Sequence, residues 1–158
     1  MGQVILVLGA FTLLIFMTMT VNQAIGNRIG STYQAEAIIA ATTLGQSMIN
    51  EISQKAFDDS VLTRTVDQVS QLTEVASLGK DGGETYATFD DVDDFKNYTR
   101  TDSIPNGYFT TSVDVVYVSP SALSGTSNVP TFYKKITVTV TANELKYIPI
   151  TLTRIVAY

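Results

Sequence analysis

The run Phe89-Asp90-Asp91-Val92-Asp93-Asp94-Phe95 sets four carboxylates within five positions, between two phenylalanines. Oxygen donors at that density suit a hard cation such as Ca²⁺, and paired carboxylates are also the material of acid–base catalysis. The spacing lacks the glycine and the distal glutamate of an EF-hand loop, and an acidic run also occurs as a plain solvated loop. Asp90, Asp91, Asp93 and Asp94 are therefore carried forward as a Ca-type metal site beside the reading as a solvated loop. Two positions on, Asn97-Tyr98-Thr99 fits the acceptor pattern for N-glycosylation.

Little other chemistry is on offer. Among 158 residues there is no Cys and no His, which removes thiolate sites, disulfides, the commonest general base and the commonest metal ligand. No catalytic residue is assigned, no cofactor other than Ca²⁺ is expected, and the chain is read as a non-enzyme. The net charge of −5 lacks the basic stripe of a nucleic-acid binder.

Three styles of sequence must position these residues. Gly2 to Asn27 carries no formal charge, and within it Val4, Ile5, Leu6, Val7, Leu8, Phe11, Leu13, Leu14, Ile15, Phe16, Met17, Met19 and Val21 make a nearly continuous apolar run. At a rise of about 1.5 Å per residue, Val4 to Val21 covers roughly 27 Å, close to the hydrocarbon thickness of a bilayer. With only Met1, Gly2 and Gln3 before it, the run lacks the basic flank of a signal peptide and is expected to be retained. Arg28 stands where the segment would meet water.

The helical pattern continues from Ser31 to about Phe57. Ala37, Ala41, Leu44, Met48 and Ile52 form a stripe that Ile38, Ile49 and Ala56 widen, as in a helix covering a sheet. Asn22, Gly26, Asn27 and Gly30 are weak helix formers between the halves, so a bend or an unwound stretch is expected there. Asp58 to Asp102 then sums to −7. In it Val66 to Leu78 is ambiguous, Lys80 to Gly83 is a loop, and Tyr86 to Phe89 reads as a short strand. Ile104-Pro105-Asn106-Gly107 reads as a turn.

The last third alternates as strands do. Over Tyr108 to Val118, Phe109, Thr111, Val113, Val115 and Tyr117 share one face. Over Thr131 to Ala142, Ile136, Val138 and Val140 point inward and Thr137, Thr139 and Thr141 outward. Ser119 to Pro130 is a surface loop, Asn143 to Lys146 a turn, and Tyr147 to Val156 a third strand in which Pro149 belongs at an edge or an end. The fold class is α+β, with a long N-terminal helix packed on a C-terminal antiparallel sheet of three or four strands. The expected divisions are 1–30 (membrane half of the helix), 31–58 (amphipathic half), 59–107 (acidic connecting region) and 108–158 (sheet).

A long helix, half apolar and half packed on such a sheet, resembles the type IV pilin and pseudopilin superfamily. The local pieces that carry the resemblance are Gln34-Ala35-Glu36-Ala37 through Leu44-Gly45-Gln46-Ser47-Met48-Ile49-Asn50-Glu51-Ile52 and the Phe89 to Phe95 run. In that family a basic leader is removed and the mature chain carries Glu as its fifth residue. Here that position is Ile5, or Val7 if cleavage follows Gly2, and the family's helix-kinking proline is absent. The resemblance implies a subunit of a pilus-like or pseudopilus filament. It would be held first in the inner (cytoplasmic) membrane and then displayed at the cell surface, with self-association into a helical homopolymer and a pilus assembly machinery as partners. The alternative is a single-pass anchored β-rich domain that forms no filament. The tyrosines Tyr33, Tyr98, Tyr108, Tyr117, Tyr133, Tyr147 and Tyr158 are expected as strand and interface residues.

Overall fold

The apolar start of the chain and the amphipathic stretch after it form one helix, α1 (Gly2–Ile52), in a computed structural model that describes residues 2–105, 107–145 and 148–158. The helix is unbroken through Gly26 and Gly30, so the unwound stretch expected there is absent. The hydroxyls of Ser31 and Thr32 both bond back to the Arg28 carbonyl, at 2.8 and 3.0 Å, satisfying themselves on the helix and leaving its ladder intact. By internal contacts the chain divides into two units, one ending at Glu36 and the other running Ala37–Tyr158.

The described residues of the first unit are all helix and all exposed apart from half-buried Gln34. In the second unit the remainder of α1 buries Ala37, Ala41, Gly45, Met48, Ile49 and Ile52. The four-residue step places these on one face, whereas Ile38 lies at the rim, 41% exposed. Gly45 permits the close approach to the sheet, since a Cβ there would stand 2.9 Å from Leu152 Cδ1.

The helix stops at Ile52, short of Phe57. Gln54 and Lys55 turn back onto the carbonyls of Glu51 and Ile52, and Ala56 then pairs with the 90–92 segment, its N–H donating to the Asp90 carbonyl at 3.0 Å. Phe57 therefore does not extend the helical stripe and enters a second apolar cluster with Val66, Leu72, Leu78 and Tyr117. Asp58 opens a short helix, α2 (Asp59–Thr63), by accepting the Ser60 N–H. The ambiguous stretch resolves into two 3-10 turns, Val69–Gln71 and Val75–Ser77. Its buried residues recur every six positions, a spacing that is neither helix nor strand.

Four strands follow, β1 (Thr99–Ile104), β2 (Gly107–Tyr117), β3 (Tyr133–Ala142) and β4 (Ile150–Ala157), in one antiparallel sheet of order β1-β2-β3-β4. β1 lies inside the stretch expected to be connecting region. Thr-Arg-Thr-Asp-Ser-Ile has no apolar alternation to reveal it, because the inner face of this edge strand is only half-buried and carries Arg100 and Asp102 beside Ile104. Tyr86 to Phe89 is not a strand: Thr88 turns back to Thr85 through both its N–H and its hydroxyl, a local bonding pattern that competes with a ladder. Gly107 sits at φ 127° in the β1–β2 connection, which a side chain would strain. Asn106 of that turn, Lys146 of the next one and Tyr147 lie outside the described residues, as does Met1.

The expected inward faces hold. Phe109, Thr111, Val113, Val115 and Tyr117 of β2 and Ile136, Val138 and Val140 of β3 are buried over the α1 segment that closes the core. Pro149 immediately precedes β4. The sheet's other face presents threonines, with Thr110 opposite Thr141 and Thr139 flanked by Ser112 and Thr151.

Candidate functional site

Two regions carry functional potential, and each is built differently. The first is the helical unit ending at Glu36. Its apolar side chains from Val4 to Val21 are between 51 and 74% exposed. Between Val4 and Val21 the threonine hydroxyls are satisfied on the helix itself: Thr12 donates to the Gly9 carbonyl at 2.9 Å, Thr18 to Leu14 at 2.7 Å and Thr20 to Met17 at 2.9 Å. Hydroxyls bonded along the helix in this way suit a medium without water. α1 is long and apolar enough to cross a membrane.

The second region is the acidic run, and it is not a solvated loop. Asp91, Asp93 and Asp94 are 3 to 5% exposed, and Asp90 alone faces out. The residues divide between two tasks. Asp94 Oδ2 accepts the N–H groups of Asp90 and Asp91 at 3.0 and 3.2 Å, while Asp91 Oδ1 accepts those of Asp93 and Asp94 at 2.8 and 3.1 Å. These reciprocal bonds hold the 3-10 turn Asp93–Phe95 and aim Asp93 inward at Lys134.

Lys134 is the residue that composition and spacing missed. It lies two positions before Ile136 on the inward face of β3 and is wholly buried. Its Nζ donates to Asp93 Oδ1, to Asp58 Oδ2 at 3.1 Å and to the Phe57 carbonyl at 2.6 Å. The rings of Phe57 and Tyr117 flank it, with centroids 4.7 and 5.3 Å from Nζ. Asp58 is itself wholly buried and takes further bonds from the Ser60 N–H, the Thr73 N–H and hydroxyl, and the Tyr117 hydroxyl.

One ammonium therefore faces more than one carboxylate in a dry site, and the carboxyls differ. Burial works to raise the Asp58 pKa, but the Lys134 charge and the hydrogen bonds from Thr73, Lys134 and Ser60 hold it below the usual range. Burial raises Asp93 in spite of Lys134. Asp91, raised by burial and then by the neighbouring Asp93 charge, is pushed up to about 8 and holds a proton at neutral pH. The Tyr117 hydroxyl is raised by burial and by Asp58.

The four aspartates are thus not brought together as one ligand set. Glu84, Asp90 and Asp94 do place carboxylate oxygens within 4.8 Å of one another. They offer three donors, against the roughly six to eight that Ca²⁺ takes. Glu84 belongs to a cavity of about 480 Å³ that Lys80, Tyr86, Lys96 and Tyr98 also line. Tyr86 and Tyr98 stack at 5.0 Å, and the Tyr86 hydroxyl donates to Glu51. Burial, followed by that bond, pushes the Tyr86 pKa up to about 12. Asn97 and Thr99 are both exposed, and Asn97 holds φ 62° while its N–H donates to the Val113 carbonyl. The acceptor pattern accordingly lies at the surface.

No family model matches the chain, and neither curated proteins nor solved structures give a match.

Proposed function

We propose that the chain is a structural subunit of a type IV pilus-like or pseudopilus filament, held in the inner membrane by its N-terminal helix and assembled at the surface by helix–helix packing. The observation that carries this is the unbroken helical unit with thirteen large apolar side chains from Val4 to Val21, each more than half exposed. Leaving those side chains in water would cost tens of kcal/mol at about 1.5–3 kcal/mol each. Lipid removes that cost before assembly, and copies of the same helix remove it afterwards. Heterologous contacts that do not close into a ring generate a helical polymer. The role is architectural, with an assembly machinery as partner and no catalysis.

Cysteine cross-linking tests this directly, because the chain contains none of its own. A panel of paired substitutions stepping through Val4 to Val21, Ile5→Cys with Phe16→Cys among them, is oxidised in intact cells. Some pairs are expected to yield ladders of covalent multimers in the sheared surface fraction. Monomers alone, recovered only from membranes, would instead establish a plain anchored domain.

A further inference from the structure

The cluster around Lys134 holds more chemistry than an ion pair needs. A wholly buried amine touches the carboxyl of Asp93. A second carboxylate, Asp58, lies 3.1 Å away, and a third, Asp91, sits against Asp93 by accepting its N–H at 2.8 Å. Phe57 and Tyr117 wall the amine from water. We propose that Lys134 and Asp93 join in the folded chain through an intramolecular amide bond, formed by attack of Nζ on the Asp93 carboxyl with loss of one water, while Asp58 and Asp91 carry the protons.

The step balances without any co-reactant. A proton first passes from the ammonium to the Asp93 carboxylate, giving the uncharged pair that a dry site favours. The Nζ lone pair then forms the N–C bond, and the carbonyl π electrons move onto oxygen. Asp58 takes a proton from nitrogen, Asp91 gives one to the departing hydroxyl, and the C–O bond breaks to release water. Proton return from Asp58 to Asp91 restores both groups. Holding amine and carboxyl in contact replaces the encounter that makes this condensation slow in solution.

The surroundings fit the product as well as the reactants. Amide formation removes one positive and one negative charge from the interior. The single remaining N–H keeps the Phe57 carbonyl, now 2.6 Å from Nζ, as its acceptor. Asp58 loses its cation but retains Ser60, Thr73 and Tyr117 as donors. The bond would tie the 89–95 turn to β3 across 41 positions of chain, a covalent brace between the turn and the sheet.

Intact-mass measurement of the denatured full-length chain reads the outcome. Purified, folded protein is expected to weigh one water less than its sequence, with a branched tryptic peptide joining Asp93 to Lys134. Asp93→Asn is the discriminating variant: it is expected to lose ammonia in place of water and so reach the same final mass as the wild type. Asp91→Asn, which keeps the acceptor for the Asp93 and Asp94 N–H groups, is expected to slow formation on the order of a hundredfold. Folded wild type at its full sequence mass after days at 37 °C overturns the proposal. So does a water loss that maps to an Asp81-Gly82 succinimide, and an unchanged rate in Asp91→Asn overturns the role given to Asp91.

Discussion

Measured against wild-type chain in which Lys134 and Asp93 have not yet condensed, replacing Lys134 by Met keeps the aliphatic stem and removes the charge, leaving Asp58 and Asp93 buried around the same site without a cation. The wild-type Nζ is wholly buried and bonded to both carboxyl groups and to the Phe57 carbonyl. Breaking a buried pair by deleting one partner costs about 3–5 kcal/mol, and the carbonyl left unpaired adds about 1–3 kcal/mol. Against a typical total stability of about 5–15 kcal/mol, Lys134→Met removes a large share. For a folded unit of the size of Ala37–Tyr158, about 4 kcal/mol corresponds to a fall in Tm of roughly 12–20 °C. Urea titration followed by tyrosine fluorescence reads the effect, since the chain has no Trp and Tyr117 lies in the cluster. Adding Asp58→Asn and Asp93→Asn to Lys134→Met removes the stranded charges and is expected to recover about 2 kcal/mol or more. A loss below about 1 kcal/mol for Lys134→Met alone would refute the reasoning, because it would mean the site is wet.

Three further outcomes follow from the same geometry. Asp91 is pushed up to about 8 from an ordinary 3.8, so the folded state holds a proton that the unfolded chain releases, and this group's contribution falls as pH rises from about 4 to about 8. Asp58 is lowered, so its contribution is present above 3.8 and lost as pH falls through its folded value. In chain whose Lys134 and Asp93 have not condensed, unfolding free energy should therefore peak in mild acid, and Asp91→Asn should flatten the slope on the alkaline side of that peak. Thr111 is 1% exposed and its hydroxyl has no partner among the described residues, so Thr111→Val is expected to raise stability by about 1 kcal/mol in the same titration. Millimolar Ca²⁺ should move the Tm by no more than a few degrees, because Glu84, Asp90 and Asp94 supply three donors and a site half filled contributes only about 0.4 kcal/mol; a large shift abolished by Asp90→Ala would contradict that.

Periodicity made most of the architecture legible. Spacings of three and four located the buried side of α1 at Ala37, Ala41, Met48 and Ile52, and strict alternation located the inward residues of β2 and β3. Both signals depend on one face meeting a core, and they fail where that condition fails. β1 is an edge strand with no continuous apolar face, and the stretch from Val66 to Leu78 packs through turns, so neither carried a period. Helix α1 ends early because Ala56 is recruited by the backbone at Asp90, a partner 34 positions away that no local rule anticipates. The site was half legible. Asp90 to Asp94 was visible as chemistry, but its burial depends on Lys134, whose only signal was to stand in phase with Ile136, Val138 and Val140. A lysine on an apolar face demands a counter-charge, and Asp58 and Asp93 answer that demand.

The central claim, that the apolar helix is the core of a polymer, is tested most directly by electron microscopy of material sheared from cells that express the chain. The account predicts thin helical filaments in which mass spectrometry finds this chain as a component and whose reconstructed core is a bundle of Val4 to Val21 helices. The protein found solely as a detergent-extracted monomer, with no filament containing it, would contradict the account.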